Sequence, residues 1–235
     1  MKILAFDGTA KAASVAVLDG DRVLGHYTVD NGLTQSELLL PMAENLLESL
    51  KMTFNDIELY TTSVGPGSFT GVRIGVSLIK GLAFGKNIPC VEVPTLEALA
   101  ENLSGIPGII VPCMDARRAQ VYSATFRSDG DSLSRLTEDR AIALYDLASE
   151  LSSYDENIYL VGDGYSVAKS AMEKAEVKTM NTPELLIFES AVSVGKVAKK
   201  KYEKGEFVSD SKLAPIYLRM PQAERERLER EAANK

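Results

Sequence analysis

Apolar and polar positions change period along the chain, and the changes divide it into elements. Residues Ile3 to Phe6, Ser14 to Leu18 and Arg22 to Val29 form apolar or alternating runs, with the turn signal "LDGD" between the last two. The pattern predicts a three-stranded meander. "TQSELLLPMAENLLESL" then places apolar residues at helical spacing, and Thr34 with Glu37 forms a capping box that satisfies the first free amides. Pro41 interrupts this helix pattern, because an interior proline removes a hydrogen bond, and it predicts a kink or a start near Leu40. A strand at Leu59 to Val64, a glycine-rich loop, a helix from about Ser68 to Phe84, a strand at Cys90 to Val93 and a helix at Leu96 to Leu103 complete a β-β-β-α-β-α-β-α order.

"SGIPG" at Ser104 to Gly108 is punctuation, and the opening pattern partly repeats after it. An apolar strand runs to Cys113, a second spans Gln120 to Phe126, and Asp129 with Gly130 marks a turn. A helix at Leu144 to Leu151, the strand "IYLVG", a helix after Gly164 and a helix from about Pro183 to Tyr202 follow. The expected architecture is duplicated α/β with a mixed sheet in each half, the units spanning 1–104 and 105–212. The tail "AERERLEREAANK" alternates charges at helical spacing and reads as a solvated helix or frayed end.

Composition narrows the class. With 235 residues, 45% of them hydrophobic and 25% charged, there is apolar material for real cores and no sign of general disorder. No apolar run reaches the roughly 18 residues of a membrane span, and "MKILAFDGT" meets Asp7 too early for a secretory leader, so a cytoplasmic protein is expected. Cys90 and Cys113 sit in apolar surroundings and read as buried thiols, with no metal site expected. A net charge of −7 opposes unaided binding to nucleic acid.

The stretch "SVGPGSFTGVRIG", Ser63 to Gly75, carries the strongest candidate chemistry. A phosphate cradle at a helix N-terminus is geometrically allowed, but the P-loop and dinucleotide patterns are both absent. A nucleophile turn needs G-x-S-x-G, which Ser68 does not satisfy, and the lone histidine, His26, falls in a predicted strand. The remaining reading is close backbone contact. Gly71 and Gly75 are four apart, as are Gly81 and Gly85, so each pair lies on one helical face. An interior glycine costs about 1 kcal/mol against alanine, and tight packing compensates. Spacing alone leaves open whether the glycines meet the protein's own sheet or a partner.

"ILAFDGT", "LLPMAENLL", "SVGPGSFTGVRIGVSLIKGLAFG", "VPTLEALA", "MDARRAQVY" and "LAPIYLRMPQAE" together resemble the TsaB (YeaZ) family of the bacterial tRNA threonylcarbamoyladenosine pathway, from Ile3 to Glu224. The resemblance implies the duplicated actin-like fold of sugar kinases, Hsp70 and actin, with a reduced second domain. It implies a non-catalytic partner of the paralogous enzyme TsaD, joined by the ATPase TsaE, in modifying the adenosine beside the anticodon. It implies homodimers when the chain is alone, only indirect contact with tRNA, no membrane, no cofactor of its own, and nucleotide, if any, at a complex interface. Family members pair through two helices of the first domain, which correspond here to Gln35 to Leu50 and Ser68 to Phe84. The implied interface is Gln35, Leu38, Leu39, Met42, Leu46, Phe69, Gly71, Val72, Gly75, Leu78, Ile79 and Leu82. By analogy with such folds, the segment at about 213–235 returns to the first domain.

TsaD holds its metal partly through a His-x-x-x-His pair; this chain has Thr95 and Leu99 there, which cannot replace two imidazoles. Thr95 is expected to cap the helix that follows. The alternative function is an ATP-binding phosphotransferase or ATPase, resting on "FDGT", which resembles a phosphate hairpin with Asp7, Gly8 and Thr9 as nucleotide contacts. Against it stands an ordinary Asp-Gly turn closed by local hydrogen bonds, which is favoured. A metallopeptidase-like activity lacks both histidines and a nucleophile pair. "LVGDGYS" is either a nucleotide-loop remnant or a plain connection, and "DARR" reads as a hairpin connection with an internal ion pair.

Overall fold

The computed structural model describes residues 1–219; the charged tail from Ala223 lies outside the described residues. Strands β1 (Lys2–Asp7), β2 (Ala13–Asp19) and β3 (Arg22–Val29) form the expected antiparallel meander. β4 (Leu59–Ser63) and β5 (Cys90–Val93) extend it in parallel on the other edge, giving the order β3-β2-β1-β4-β5. Because successive strand side chains alternate between faces, β1 sends Leu4 and Phe6 one way and Ile3 and Ala5 the other. Both sets are fully buried, which explains why this strand reads as an unbroken apolar run.

Helices α1 (Gln35–Ser49) and α2 (Phe69–Ala83) cover the Leu4 and Phe6 face through Leu39, Leu46 and Ile79. The Thr34 and Glu37 capping box is present. α1 begins at Gln35 and carries Pro41 in its interior, so the expected late start does not occur. Pro41 sits on the exposed side of the helix, where the carbonyl it leaves unpaired faces water. Helix α3 (Thr95–Glu101) follows β5.

In the second sheet, β6 (Gly108–Asp115) runs antiparallel to β7 (Gln120–Ser123) and β8 (Phe126–Ser128). Cys113 faces Ser123 and Ile110 faces Phe126 in one continuous register, so the strand expected from Gln120 to Phe126 is broken only at Ala124 and Thr125. There the Thr125 amide turns to donate to the Thr137 hydroxyl at 2.8 Å. β9 (Leu133–Arg135) and β10 (Arg140–Ala143) continue outward, and β11 (Ile158–Val161) adds in parallel on the far side of β6. α4 (Leu144–Leu151) and α5 (Tyr165–Lys174) cover this sheet through Leu147, Leu151, Ala168 and Met172.

The last helix departs from expectation. α6 spans Ala191–Glu203, preceded by a short 3-10 turn at Glu184–Leu186, instead of running on from Pro183. The carbonyls that a continuous helix would use internally are taken from outside: Asn102 Nδ2 donates to Leu186 O at 3.0 Å and Phe188 O at 2.8 Å, and the Gly162 amide donates to Ile187 O. α6 then packs Val194, Val197 and Ala198 on the Ile3 and Ala5 face of the first sheet, although it follows the second in the chain. From there the chain returns along the edge of the first sheet, where Val208 bridges Cys90 and the Ile216 amide donates to Val64 O at 2.7 Å. Both cysteines are free and buried; burial pushes the Cys90 thiol up to about 11 and Cys113 up to about 12, so neither is a thiolate at neutral pH. Among the described residues no helix is long and apolar enough to cross a membrane.

Candidate docking surface and the seam between the sheets

The glycine-rich loop is built against the β1–β2 turn. Ser68 caps α2 by accepting from the Gly71 amide at 3.2 Å, and its own amide donates to Thr9 O at 2.6 Å. A Cβ at Gly71 would overlap the Gly8 carbonyl oxygen, and one at Gly75 would lie 2.7 Å from Thr62 Oγ1 on β4. The close approach is therefore internal at these two positions. Gly81 differs: a Cβ there would meet nothing within 4 Å.

This divides the expected interface set. Leu38, Leu39, Met42, Leu46, Val72, Ile79, Gly71 and Gly75 are buried in the first sheet's own core, and Gln35 is only 8% exposed. In this chain these residues pack inward against the first sheet. Phe69, Leu78 and Leu82 are half-buried and reach its edge. The residues that do face out are ones the sequence reading omitted: Leu33, Leu40, Ser36, Thr70, Arg73, Ser77, Gly81 and Phe84, the last 79% exposed, with Ile74 half-buried at their edge. Those within the helices occupy the opposite arc of α1 and α2, with Leu33 just before α1 and Phe84 just after α2. Gln35, Leu39, Leu40, Arg73, Ile74 and Leu78 line a groove of about 520 Å³ between α1 and α2. A second hollow of about 600 Å³ adjoins it at Lys11, Leu33, Thr34 and Thr70.

One end of this surface is closed by the returning chain. Tyr217 stacks on Phe69 with ring centroids 4.6 Å apart, Arg73 Nε donates to the Tyr217 hydroxyl at 2.8 Å, and the Arg73 guanidinium lies 3.7 Å from the Phe69 ring centre. Arg219 then crosses to the β6–β7 connection, donating to Ala116 O at 3.3 Å and to Gln120 Oε1.

The other candidate residues gather where the two sheets meet. Asp7 is fully buried; its Oδ1 accepts from the Thr9 amide at 2.9 Å and the Thr9 hydroxyl at 2.7 Å, and its Oδ2 accepts from the Ser63 hydroxyl. Burial pushes its carboxyl up despite these donors. Asp7 and Thr9 thus satisfy one another as a closed turn. Asp115 pairs with Arg117 at 3.1 Å, as the hairpin reading expects, and its amide donates to Asp163 Oδ1 at 2.9 Å. Asp163 belongs to the Gly162–Gly164 connection and is itself exposed; the protein packed around its base, with the Asp115 carboxylate beside it, raises its carboxyl. Thr95 does not cap α3: Pro94 holds that position, and the Thr95 hydroxyl is buried with no hydrogen-bond partner. Leu99 packs in the apolar cluster under the seam with Leu96 and Val161.

Sequence reasoning missed Glu189. It is 3% exposed, and both carboxylate oxygens lack a partner among the described residues. Burial, with Asp7 and Asp163 nearby, pushes its pKa up to about 8. It stood inside the helix expected from Pro183, where an exposed turn of helix was as good a place for it. No group of three or more His, Cys, Asp or Glu among the described residues is arranged to hold a metal ion.

Residues 34–227 match the family model described as "TsaD: tRNA N6-adenosine threonylcarbamoyltransferase". The chain is 34% identical over 173 residues to the tRNA threonylcarbamoyladenosine biosynthesis protein TsaB of Bacillus subtilis (strain 168), covering 74% of this chain and 76% of the relative. It is 28% identical over 222 residues to the protein of the same name from Escherichia coli (strain K12), covering 93% and 95%. Among solved structures, YeaZ from Pseudomonas aeruginosa superposes with a TM-score of 0.74 at 23% identity, over 92% of this chain and 99% of that one. The activator of the 2-hydroxyisocaproyl-CoA dehydratase from Clostridium difficile shares the fold with a TM-score of 0.50 at 12% identity, over 87% of this chain and 97% of that one. The two mixed sheets and their helices form the duplicated actin-like fold.

Proposed function

Because the chain belongs to the TsaB family of tRNA threonylcarbamoyladenosine biosynthesis proteins, itself within reach of the TsaD family model, we propose that it serves that biosynthesis as a non-catalytic, cytoplasmic partner of TsaD, with TsaE joining the complex. The observation that carries this reading is the outer face of α1 and α2. Leu39, Leu40, Ile74 and Leu78 leave an apolar groove there, and further along α2 come exposed Phe84 and a glycine that no internal contact explains. An open apolar groove on two packed helices suits a helix of another chain, and the same face serves a second copy when TsaD is absent.

The lack of catalysis follows from residue chemistry. Where the enzyme's histidine pair would stand, Thr95 offers one hydroxyl and Leu99 an apolar side chain buried in a packed cluster. Asp7, the remaining candidate for a phosphate site, is engaged by Thr9 and Ser63 in its own turn. Contact with tRNA then falls to the partner, consistent with the net charge of −7.

The test is to mix the purified chain with TsaD of the same organism and measure mass by light scattering after gel filtration, with the double variant Leu40→Glu and Ile74→Glu in parallel. Leu40 is exposed and Ile74 half-buried at the edge of the core, so Leu40→Glu alone is run beside the double variant as the one that should melt within a few degrees of the parent. Two charges inside a desolvated contact should cost several kcal/mol and abolish the heterocomplex. A variant that still forms the complex would place the interface elsewhere.

A further inference from the structure

The seam between the two sheets is closed by the segment that leads into α6. Its backbone is held from three sides: by Asn102 at the end of α3, by the Gly162 amide after β11, and by the Ser14 hydroxyl of β2, which accepts from the Ala191 amide at 3.0 Å. Asn102 is itself fixed by the Ser193 hydroxyl, which donates to its Oδ1 at 2.6 Å. At the centre of this clamp the chain buries Glu189, the one side chain of the segment that can carry charge at neutral pH after Glu184.

Two carboxyl groups lie near enough to act on its charge, one from each half of the molecule. Asp7 comes from the end of β1 and Asp163 from the turn after β11. Behind Asp163 stand the Asp115 carboxylate and the cations of Arg117 and Lys11. α3 contributes Glu101, whose carboxylate accepts from Lys200 of α6 at 2.8 Å. Lys200 and Arg117 are thus committed to Glu101 and Asp115, and the Glu189 oxygens make no close hydrogen bond among the described residues, the backbone amides of Glu189 and Asp163 acting on them only weakly.

A buried carboxylate in that setting takes a proton instead of bearing an unpaired charge. We propose that Glu189 is a proton-dependent latch on this seam: neutral, it lets the segment from Leu186 to Ser190 pack shut between the sheets, and ionised, it repels Asp7 and Asp163 and loosens that segment. The direction of the effect follows from proton counting. Glu189 binds its proton more tightly in the closed state, where its pKa is pushed up to about 8, than in an open or unfolded state with an ordinary carboxyl. The latch is therefore strongest at low pH within the folded range and is lost progressively as pH rises through the raised value.

The experiment follows the amide hydrogen exchange of Gly162 and Ala191, corrected for the intrinsic pH dependence of exchange, together with the carboxyl carbon signal of Glu189 by NMR in the full chain. In the parent, protection should fall by up to about tenfold per pH unit as the group approaches its pKa and level off above it. Glu189→Gln, which keeps the shape of the neutral acid, should hold these amides protected with no such slope. Asp163→Asn removes one repelling charge and should move the levelling point to lower pH, which keeps the test decisive if the glutamine variant folds poorly. A Glu189 carbon signal that titrates in the ordinary carboxyl range would overturn the latch. So would the same protection slope in Glu189→Gln as in the parent.

Discussion

Glycines stand at the same four-residue interval at the start of helix α2 and across its end, and the two pairs differ in what they meet. At its start, Gly71 meets the Gly8 carbonyl and Gly75 the Thr62 hydroxyl, so the helix rests on the β1–β2 turn and β4 at distances a side chain would forbid. Near its end, Gly81 faces open space, and Gly85 follows the helix with φ +73, which a glycine adopts without strain. The first pair is a requirement of the fold. Gly81, in the last turn of the helix, has no such internal contact, and glycine there costs helix propensity relative to alanine. The comparison teaches that a small-residue interval identifies a helical face but not what lies against it.

The strongest attempt to break the comparison is Gly71→Ala. The obstacle is a backbone oxygen at the turn that also places Asp7 and Thr9, so neither partner can move independently. Overpacking a fixed site should cost about 3 kcal/mol or more, read as a lowered denaturant midpoint with an unchanged slope. Gly75→Ala should cost less, about 1 to 2 kcal/mol, because Thr62 Oγ1 is the end of a side chain that can rotate. Removing that oxygen should rescue the substitution: Gly75→Ala with Thr62→Ala ought to be more stable than the two single effects summed, a coupling readable in a double-mutant cycle. Strict additivity would mean that the contact at Gly75 is not what forbids a side chain there.

Much of the fold was legible because its signals are local. The meander, the capping box at Thr34, the strand at Cys90 to Val93 and the helix at Leu144 to Leu151 all follow from period, turn residues or caps. What misled was every choice that depends on distant chain. Pro41 is harmless only because the side of α1 it occupies faces water. Helix α6 starts at Ala191 because Asn102 and Gly162, far away in sequence, take the carbonyls before it. Most of the residues expected at the interface turned out to be buried in the chain's own core, since apolar periodicity marks the face that a helix buries first against its own sheet. Leu39, Met42 and Ile79 carry that periodicity; Leu40 lies off it and Phe84 beyond the end of α2, both exposed. Exposed apolar residues that break a helix's period would have been the better signal for a docking face.

The smallest effect sharpens the comparison most. Gly81→Ala adds a methyl group where nothing is met, so it should stabilise the isolated chain by about 0.5 to 1 kcal/mol through helix propensity, raising the midpoint of thermal unfolding by a few degrees. If the outer arc of α2 packs against another chain as Gly71 packs against Gly8, the same methyl group should weaken the TsaD complex, and a more stable chain would bind less well. Calorimetric titration of TsaD with parent and variant separates the two quantities. A gain in stability with undiminished affinity would leave Gly81 outside the contact and confine docking to the groove lined by Leu40, Ile74 and Leu78. A gain in stability with weaker binding would show one helix using glycine twice, inward to hold its own sheet and outward to admit a neighbour.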